Sequence, residues 1–387
     1  MDWLSDLRVV DMSTGVAGAY ATKLFVDAGA DVVKVEPSGG DPLRRWSASG
    51  AGLGGRDSAL FRFLAAGKRS VIGGKEPGQT GELIDACDLV VAGPGGSLPE
   101  REGLVVLSIT PFGRTGPWSD RPASDLIIQA LSGSIGTRGL LAAEPFQAGG
   151  RITEWVGGTY AAVAALAALL RAGKTGQGEL IDFSLLEVMT LAGTNYMDLM
   201  GRLMGLGMSE SLPQTVETPS IEPTADGYVG FCTNSRQQVA DFMRLIERPD
   251  LVDDEELAQF VGRLGRWDEW NEIVHAFTTR LGTEEIVERA AALRIPVAPV
   301  LNGDTVRRHE HVVARGAIRP APDASFEAPR PPYKIDHQDA PAMRPAPGLG
   351  EHDGRIDWAA RERPATAGSG QELPLAGLRI IDMTAWW

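Results

Sequence analysis

The sequence predicts an α/β fold: a doubly wound, Rossmann-like parallel sheet in a large domain, joined by a smaller α+β lobe. Three observations predict it. The chain opens as strand, tight turn, helix, strand; short β-branched runs recur between helical stretches as far as residue 184; and the composition shifts beyond about Met208. At 387 residues the chain also exceeds the usual size of one hydrophobic core.

Leu7-Arg8-Val9-Val10-Asp11 is the first apolar run, and Ser13-Thr14-Gly15-Val16-Ala17-Gly18 the small-residue turn after it. Tyr20 to Ala28 has helical periodicity, stopped by Gly29. Asp31 to Glu36 is the next strand, closed by Pro37 and Gly39-Gly40-Asp41-Pro42. Two strands separated by one helix pair in parallel. Further strands are expected at Ser70 to Ile72, Leu89 to Ala92, Val105 to Ile109 and Leu180 to Ser184. Helices are expected from Asp125 to Gly133, from Gly157 to Ala172, and from Leu186. The second of these is Ala-rich and should be central and closely packed; its most apolar run, Ala161 to Leu170, is too short to span a bilayer. In the smaller lobe, Thr224 to Phe231 reads as turn then strand, charged amphipathic helices run to Arg294, and Pro296 to Val300 is extended. From Arg319 onward dense prolines favour an extended segment over regular structure.

The net charge of −14 argues against nucleic acid and against an anionic membrane surface as partners. It does not exclude an anionic cofactor held by a few local groups, because such contacts act at short range. Cys87 and Cys232 suggest neither a disulfide framework nor a zinc site, and His309 and His311 lack an acidic third ligand at metal spacing, so no metal is expected. With no signal-peptide pattern at the N-terminus, a cytoplasmic location is expected.

One internal repeat stands out. Leu375-Ala376-Gly377-Leu378-Arg379-Ile380-Ile381-Asp382-Met383-Thr384 matches Leu4-Ser5-Asp6-Leu7-Arg8-Val9-Val10-Asp11-Met12-Ser13 position for position with conservative changes. Duplicated architecture is the expectation, with 359–374 as linker and 375–387 as the start of a second copy, an unpaired strand without its fold.

Taken in order, Leu7 to Pro42, Gly67-Lys68-Arg69-Ser70-Val71, Phe112 to Pro117, Asp125 to Gly133, Lys174 to Gly178, Ala225 to Tyr228, Ile295 to Val300 and Leu349 to His352 are similar to the family III CoA-transferases. Their spacing covers nearly all of residues 4 to 354. The resemblance implies a large Rossmann-like domain over 1–207, a small domain over 208–312 and an extended segment over 313–358 returning to the large domain. It further implies coenzyme A or acyl-CoA and a carboxylate as substrates. Assembly is expected as an interlocked homodimer, or as intramolecular pairing with a second copy in a tandem member.

In such transferases an aspartate attacks the acyl-CoA, becomes an anhydride, and is converted to an aspartyl thioester before a second acid takes the CoA. At that position this chain has Glu154, ahead of the Ala-rich helix. Two readings stand: a nucleophile in a readjusted pocket, where helix N–H groups favour negative charge, or a helix-start carboxylate in a degenerate half that scaffolds an active one. Thr14, Gly15, Val16 and Ala17 are expected to bring backbone N–H groups to the cofactor, and Lys68 and Arg69 to meet its phosphates. Alternatively the turn only joins strand to helix, and Lys68 and Arg69 form a solvated strand entrance. Gly93-Pro94-Gly95 stands where members commonly carry an Asn-Phe-Arg type segment, and Pro37 where a basic residue is frequent.

Two other enzyme readings are weaker. A 2-methylacyl-CoA racemase, a relative within the family, needs a His where Ser124 stands. A nicotinamide site would use Glu36 at the end of the second strand, but Gly15-Val16-Ala17-Gly18 does not supply GxGxxG.

Overall fold

The computed structural model describes residues 3–76, 78–95, 98–136, 144–193, 218–338, 341–361 and 373–384. The chain divides into two compact units, one formed by 1–136, 146–194 and 316–387, the other by 137–145 and 195–315. The expected boundary at 207/208 and most of the expected linker 359–374 lie outside the described residues.

In the first unit, β1 (Arg8–Met12), β2 (Asp31–Glu36), β3 (Arg69–Ile72), β4 (Leu89–Ala92), β5 (Val105–Thr110) and β6 (Glu179–Ser184) form one parallel sheet in the order β3-β2-β1-β4-β5-β6. The inner strands are nearly continuously buried because both of their faces are covered, whereas on the edge strand β6 Leu180 and Asp182 are exposed. On one face Val9, Val32, Leu89 and Leu107 pack with Phe25 of α1 (Val16–Asp27) and with Ala161 and Ala165 of α5 (Ile152–Thr175). On the other, Val10, Val33, Val71, Val90 and Val106 pack with Leu83 of α3 (Gln79–Ala86), Ile356 and Trp358. The strand order reverses between β1 and β4, so the loops leaving their C-terminal ends diverge and open a crevice there.

Two helices begin earlier than their periodicity predicts. Helix α1 starts at Val16 rather than Tyr20, because the small residues after Gly15 carry too little hydrophobic pattern to mark a helix yet are buried in it. Helix α5 starts at Ile152 rather than Gly157 and runs for 24 residues, so Glu154 lies inside its first turn and not ahead of it. At that length α5 is apolar enough to cross a membrane by composition, which the Ala161 to Leu170 run alone is not. Its close approach to α1 depends on Gly158: a Cβ there would stand 2.6 Å from the Ala17 carbonyl oxygen.

Residues 341–361 run back along the outer edge of β3. The His352 N–H donates to the Ser70 carbonyl at 2.9 Å, the Ile72 N–H donates to Asp353 Oδ1 at 2.8 Å, and Trp358 Nε1 donates to Asp31. Part of the proline-rich stretch departs from the extended expectation, since Ile318–Pro320 and Glu327–Pro329 pair as an antiparallel hairpin, β10 and β11. At the closing repeat no strand forms among the described residues, and Ile380, Ile381 and Met383 are exposed. The local turn is nevertheless duplicated. The Thr384 N–H and Oγ1 donate to Asp382 Oδ1 at 2.9 and 2.5 Å, as the Ser13 N–H and Oγ donate to Asp11 Oδ1 at 3.1 and 2.6 Å.

The second unit contains a three-stranded antiparallel sheet, β7 (Ile221–Pro223), β8 (Tyr228–Phe231) and β9 (Val297–Pro299). Helices Arg236–Leu245, Trp267–Thr278 and Thr283–Ala292 pack on it through Phe242, Trp270, Phe277 and Ile286.

Candidate active site

The crevice is built from the end of β1 outward. Asp11 is fully buried, and its Oδ2 accepts from Thr22 Oγ1 at 2.9 Å and from Lys68 Nζ at 3.0 Å. Lys34 lies 3.7 Å from the same oxygen, pairs with Asp41 at 2.8 Å and donates to the Ser13 carbonyl at 2.9 Å. Two buried carboxylates thus face two buried ammonium groups beneath the turn. Burial alone would raise the Asp11 carboxyl, but Lys34 and Lys68 hold it well below the usual carboxylate range. Burial pushes the Lys68 ammonium down to about 8, against the opposing pull of Asp11. In Lys34 the same burial is outweighed by Asp11 and Asp41, which raise it.

This cluster fixes the Ser13–Ala17 turn. Gly15 has φ 90°, a conformation that favours glycine, and a Cβ there would stand 3.1 Å from Glu154 Oε2. The turn presents the N-terminus of α1, whose first N–H groups have no acceptor within the helix. One is taken by Glu154: the Val16 N–H donates to its Oε2 at 2.7 Å. Its other oxygen accepts from Arg151 Nε at 2.7 Å, and Arg151 Nη2 closes an ion pair on the same atom.

Glu154 is aimed by a second layer. Ser124 caps α4 (Asp125–Leu131), and Asp125 Oδ1 accepts from the Thr153 N–H at 3.0 Å, satisfying the start of α5 from outside. The fully buried Gln129 bridges Asp125 and Ala148, with Nε2 donating to both and Oε1 accepting the Ala148 N–H at 2.9 Å. A carboxylate from α4 therefore caps α5, and a carboxylate from α5 caps α1. Beside them the Trp155 ring meets Tyr20 edge-on at 4.8 Å.

The other residues singled out in the sequence divide. Thr14 is exposed at the crevice rim, and Gly93 lies beside it, its Cβ position 3.5 Å from Thr14 N. The Val16 and Ala17 side chains are buried, so only their backbone groups face the crevice end of α1. Lys68 is neither at a phosphate-facing surface nor at a solvated strand entrance. Its side chain is fully buried, and its ammonium is taken by Asp11, Thr22 Oγ1 and the Ala19 carbonyl. Arg69 is half-buried, paired with Asp31 and stacked on Trp358. Glu36 is occupied by Arg44, Ser70 and the Asp41 N–H, leaving no carboxylate oxygen for a ribose. Among the described residues no group of His, Cys, Asp and Glu has a metal-binding arrangement.

Sequence reasoning missed Arg151 and the capping role of Asp125. The Arg151-x-x-Glu154 spacing is the readable signal for the first, because residues three apart share a helix face. Ser124-Asp125 at the start of an apolar run is the signal for the second.

The signature of CoA-transferase family III matches residues 4–90 and 99–353. The chain belongs to that family. The match lapses over 91–98, the stretch that holds Gly93-Pro94-Gly95. A probable CoA-transferase of Mycobacterium tuberculosis is 30% identical over 403 residues; the alignment covers 97% of this chain but only 50% of that protein, so the chain spans half its length. The succinate–glutarate CoA-transferase of Agrobacterium fabrum is 28% identical, with 94% of this chain and 97% of that protein covered. The human succinyl-CoA:glutarate CoA-transferase is 27% identical, with 91% and 85% covered. Among solved structures, a CaiB/BaiF family protein from Brucella suis has the same fold, with a TM-score of 0.76 at 24% identity over 91% of this chain and 97% of that one.

Proposed function

We propose that this protein transfers CoA between an acyl-CoA and a carboxylic acid, with Glu154 as covalent carrier and a dicarboxylic acyl group such as succinyl as donor. The carrying observation is the Glu154 carboxylate at the crevice, held 2.7 Å from the Val16 N–H at the N-terminus of α1. Attack by Glu154 on the thioester carbonyl expels CoA thiolate and leaves an anhydride; the thiolate then attacks the Glu154 carbonyl, releasing the first acid and forming a glutamyl thioester. An acceptor carboxylate reverses both steps, and Glu154 emerges as a carboxylate. The Val16 N–H is placed to stabilise the oxyanion formed at Glu154, and Thr14 to Ala17 offer the adjoining backbone to the cofactor. Succinyl donors are favoured by the names of the relatives. Incubation with succinyl-CoA followed by hydroxylamine and peptide mass spectrometry tests the reading: a hydroxamate at Glu154 supports it, whereas CoA bound with Glu154 unmodified rejects it.

A second reading rests on the closing repeat. Residues 375–384 duplicate both the sequence and the Asp-hydroxyl turn of 4–13, and one relative is twice as long as the matched chain. We propose that this segment opens a second copy, and that in a tandem protein this half could act as scaffold. Full transfer surviving Glu154→Ala in a protein containing both copies would favour the scaffold, and lost transfer the carrier.

Pairing with another copy, within one chain or between two, is supported by exposed apolar side chains on adjoining helices. Leu126, Ile127 and Leu131 of α4, Val163 of α5 and Leu191 of α6 (Leu185–Ala192) are all exposed on neighbouring helices. Sedimentation before and after Leu191→Lys tests this pairing.

A further inference from the structure

Arg151 departs from its surroundings in two ways. It lies in the left-handed region at φ 59°, ψ 42°, where residues with a Cβ are uncommon, and it is the N-cap of α5 without using its side chain to cap. Instead the guanidinium folds onto Glu154, three residues on, with Nε and Nη2 converging on Oε1. Among the described residues Glu154 is its only polar side-chain partner. The Arg151 side chain is 31% exposed and that of Glu154 15%, so the guanidinium forms the outer layer over the carboxylate.

We propose that Arg151 is the docking group for the acid substrate's carboxylate, and that it becomes available only while Glu154 is acylated. The inference rests on the carrier role of Glu154. In the resting protein the Glu154 carboxylate neutralises the guanidinium. Conversion to anhydride or thioester removes that negative charge, leaving a half-buried cation without its anion, which costs more than a lost neutral hydrogen bond. A free carboxylate restores the pair.

The steps balance. Donor R–CO–SCoA and Glu154–COO⁻ give the anhydride and CoA–S⁻; CoA–S⁻ attacks the Glu154 carbonyl, giving the thioester and R–COO⁻ beside Arg151. An incoming R′–COO⁻ replaces R–COO⁻ there, is held through one oxygen and attacks the thioester carbonyl with the other, expelling CoA–S⁻. The thiolate then takes the R′ acyl group, and the Glu154 carboxylate returns to Arg151. One negative charge is conserved throughout, and the acid binds better to the thioester than to the free protein.

The test separates the two half-reactions, using succinyl-CoA as donor and glutarate as acceptor. Arg151→Asn removes the charge while tolerating the left-handed backbone. It is expected to slow discharge of the trapped thioester by glutarate about tenfold to a hundredfold more than it slows thioester formation. The KM for glutarate should rise accordingly, and the KM for succinyl-CoA should not follow. Arg151→Lys, a point charge without the planar fork, should recover part of the loss. Equal slowing of both half-reactions, or an unchanged glutarate KM in both variants, overturns the proposal. Should Arg151→Asn not fold, the KM pair in Arg151→Lys decides by the same criterion. Absence of any Glu154 thioester in the unsubstituted protein is a separate result: it removes the carrier reading first, and this inference with it.

Discussion

Replacing Gly158 with alanine would put a methyl carbon 2.6 Å from the Ala17 carbonyl oxygen and 3.2 Å from Tyr20 Cβ. The nearest atom is helix backbone, so it cannot swing aside; α1 and α5 must separate. Overpacking of this kind costs about 1–3 kcal/mol, partly offset by about 1 kcal/mol of helix propensity gained on replacing glycine. Separation also stretches the 2.7 Å bond from the Val16 N–H to Glu154, and a charge-assisted hydrogen bond is worth about 1.5–3 kcal/mol. The net expectation is a loss of about 2 kcal/mol, read as a lower urea midpoint with an unchanged slope. A displacement of about 1 Å at the carrier is expected to reduce transfer about a hundredfold. Gly173 on the same helix is the internal control. Nothing lies within 4 Å of its Cβ position, so Gly173→Ala should stabilise by up to about 1 kcal/mol and leave transfer alone. If Gly158→Ala behaved like Gly173→Ala, the contact would not be what sets the distance between the two helices.

Four further outcomes are expected. Asp11→Asn leaves Lys68 buried beside a neutral amide and should cost about 3–5 kcal/mol by urea titration, with Asp11→Asn/Lys68→Met recovering part of it. The same cluster sets a pH signature: Asp11 titrates below its unfolded value, so its contribution is full above about pH 4 and is lost as pH falls. Lys68 titrates at about 8 against 10.5 unfolded; between those values the unfolded chain holds more protons, stability rises with pH, and Lys68→Met should flatten that rise. Asp125→Ala uncaps the Thr153 N–H and should cost about 0.5–2 kcal/mol, with faster amide exchange at the start of α5. Glu154→Asp shortens the reach to Val16 by about 1.5 Å and should lower steady-state transfer about a hundredfold, with full activity arguing that the Val16 contact is incidental.

The six strands of the parallel sheet were legible within a residue or so, the inner ones because burial on both faces leaves apolar runs such as Leu89 to Ala92. Helix starts were not. Val16 to Ala19 are mostly small, and Ile152 to Gly157 mixes apolar with polar residues without a clear helical period; the N–H groups at these starts are met by distant side chains, Glu154 on α1 and Asp125 on α5. Lys68 shows the limit of reading a site from residue type. A lysine beside a strand suggests a phosphate contact, yet here it is the counter-ion that anchors Asp11. Much of the motif set that carries the family resemblance is likewise structural. Gly178 packs against the Leu104 backbone, Asp226 accepts the Thr283 N–H at 2.8 Å, and Gly350 donates to Ser70 Oγ at 3.0 Å. Glu154 itself was found from sequence, but its partners were not, since the Val16 N–H lies 138 residues away.

The central claim, that Glu154 carries the CoA, is tested most directly with an oxygen-18-labelled acceptor acid. Each complete covalent turnover breaks the anhydride on the acceptor side and leaves one acceptor oxygen in the Glu154 carboxylate. The account predicts oxygen-18 at Glu154, located by fragment-ion mass spectrometry after turnover with succinyl-CoA. Transfer of CoA to the labelled acid with Glu154 left unlabelled would contradict it.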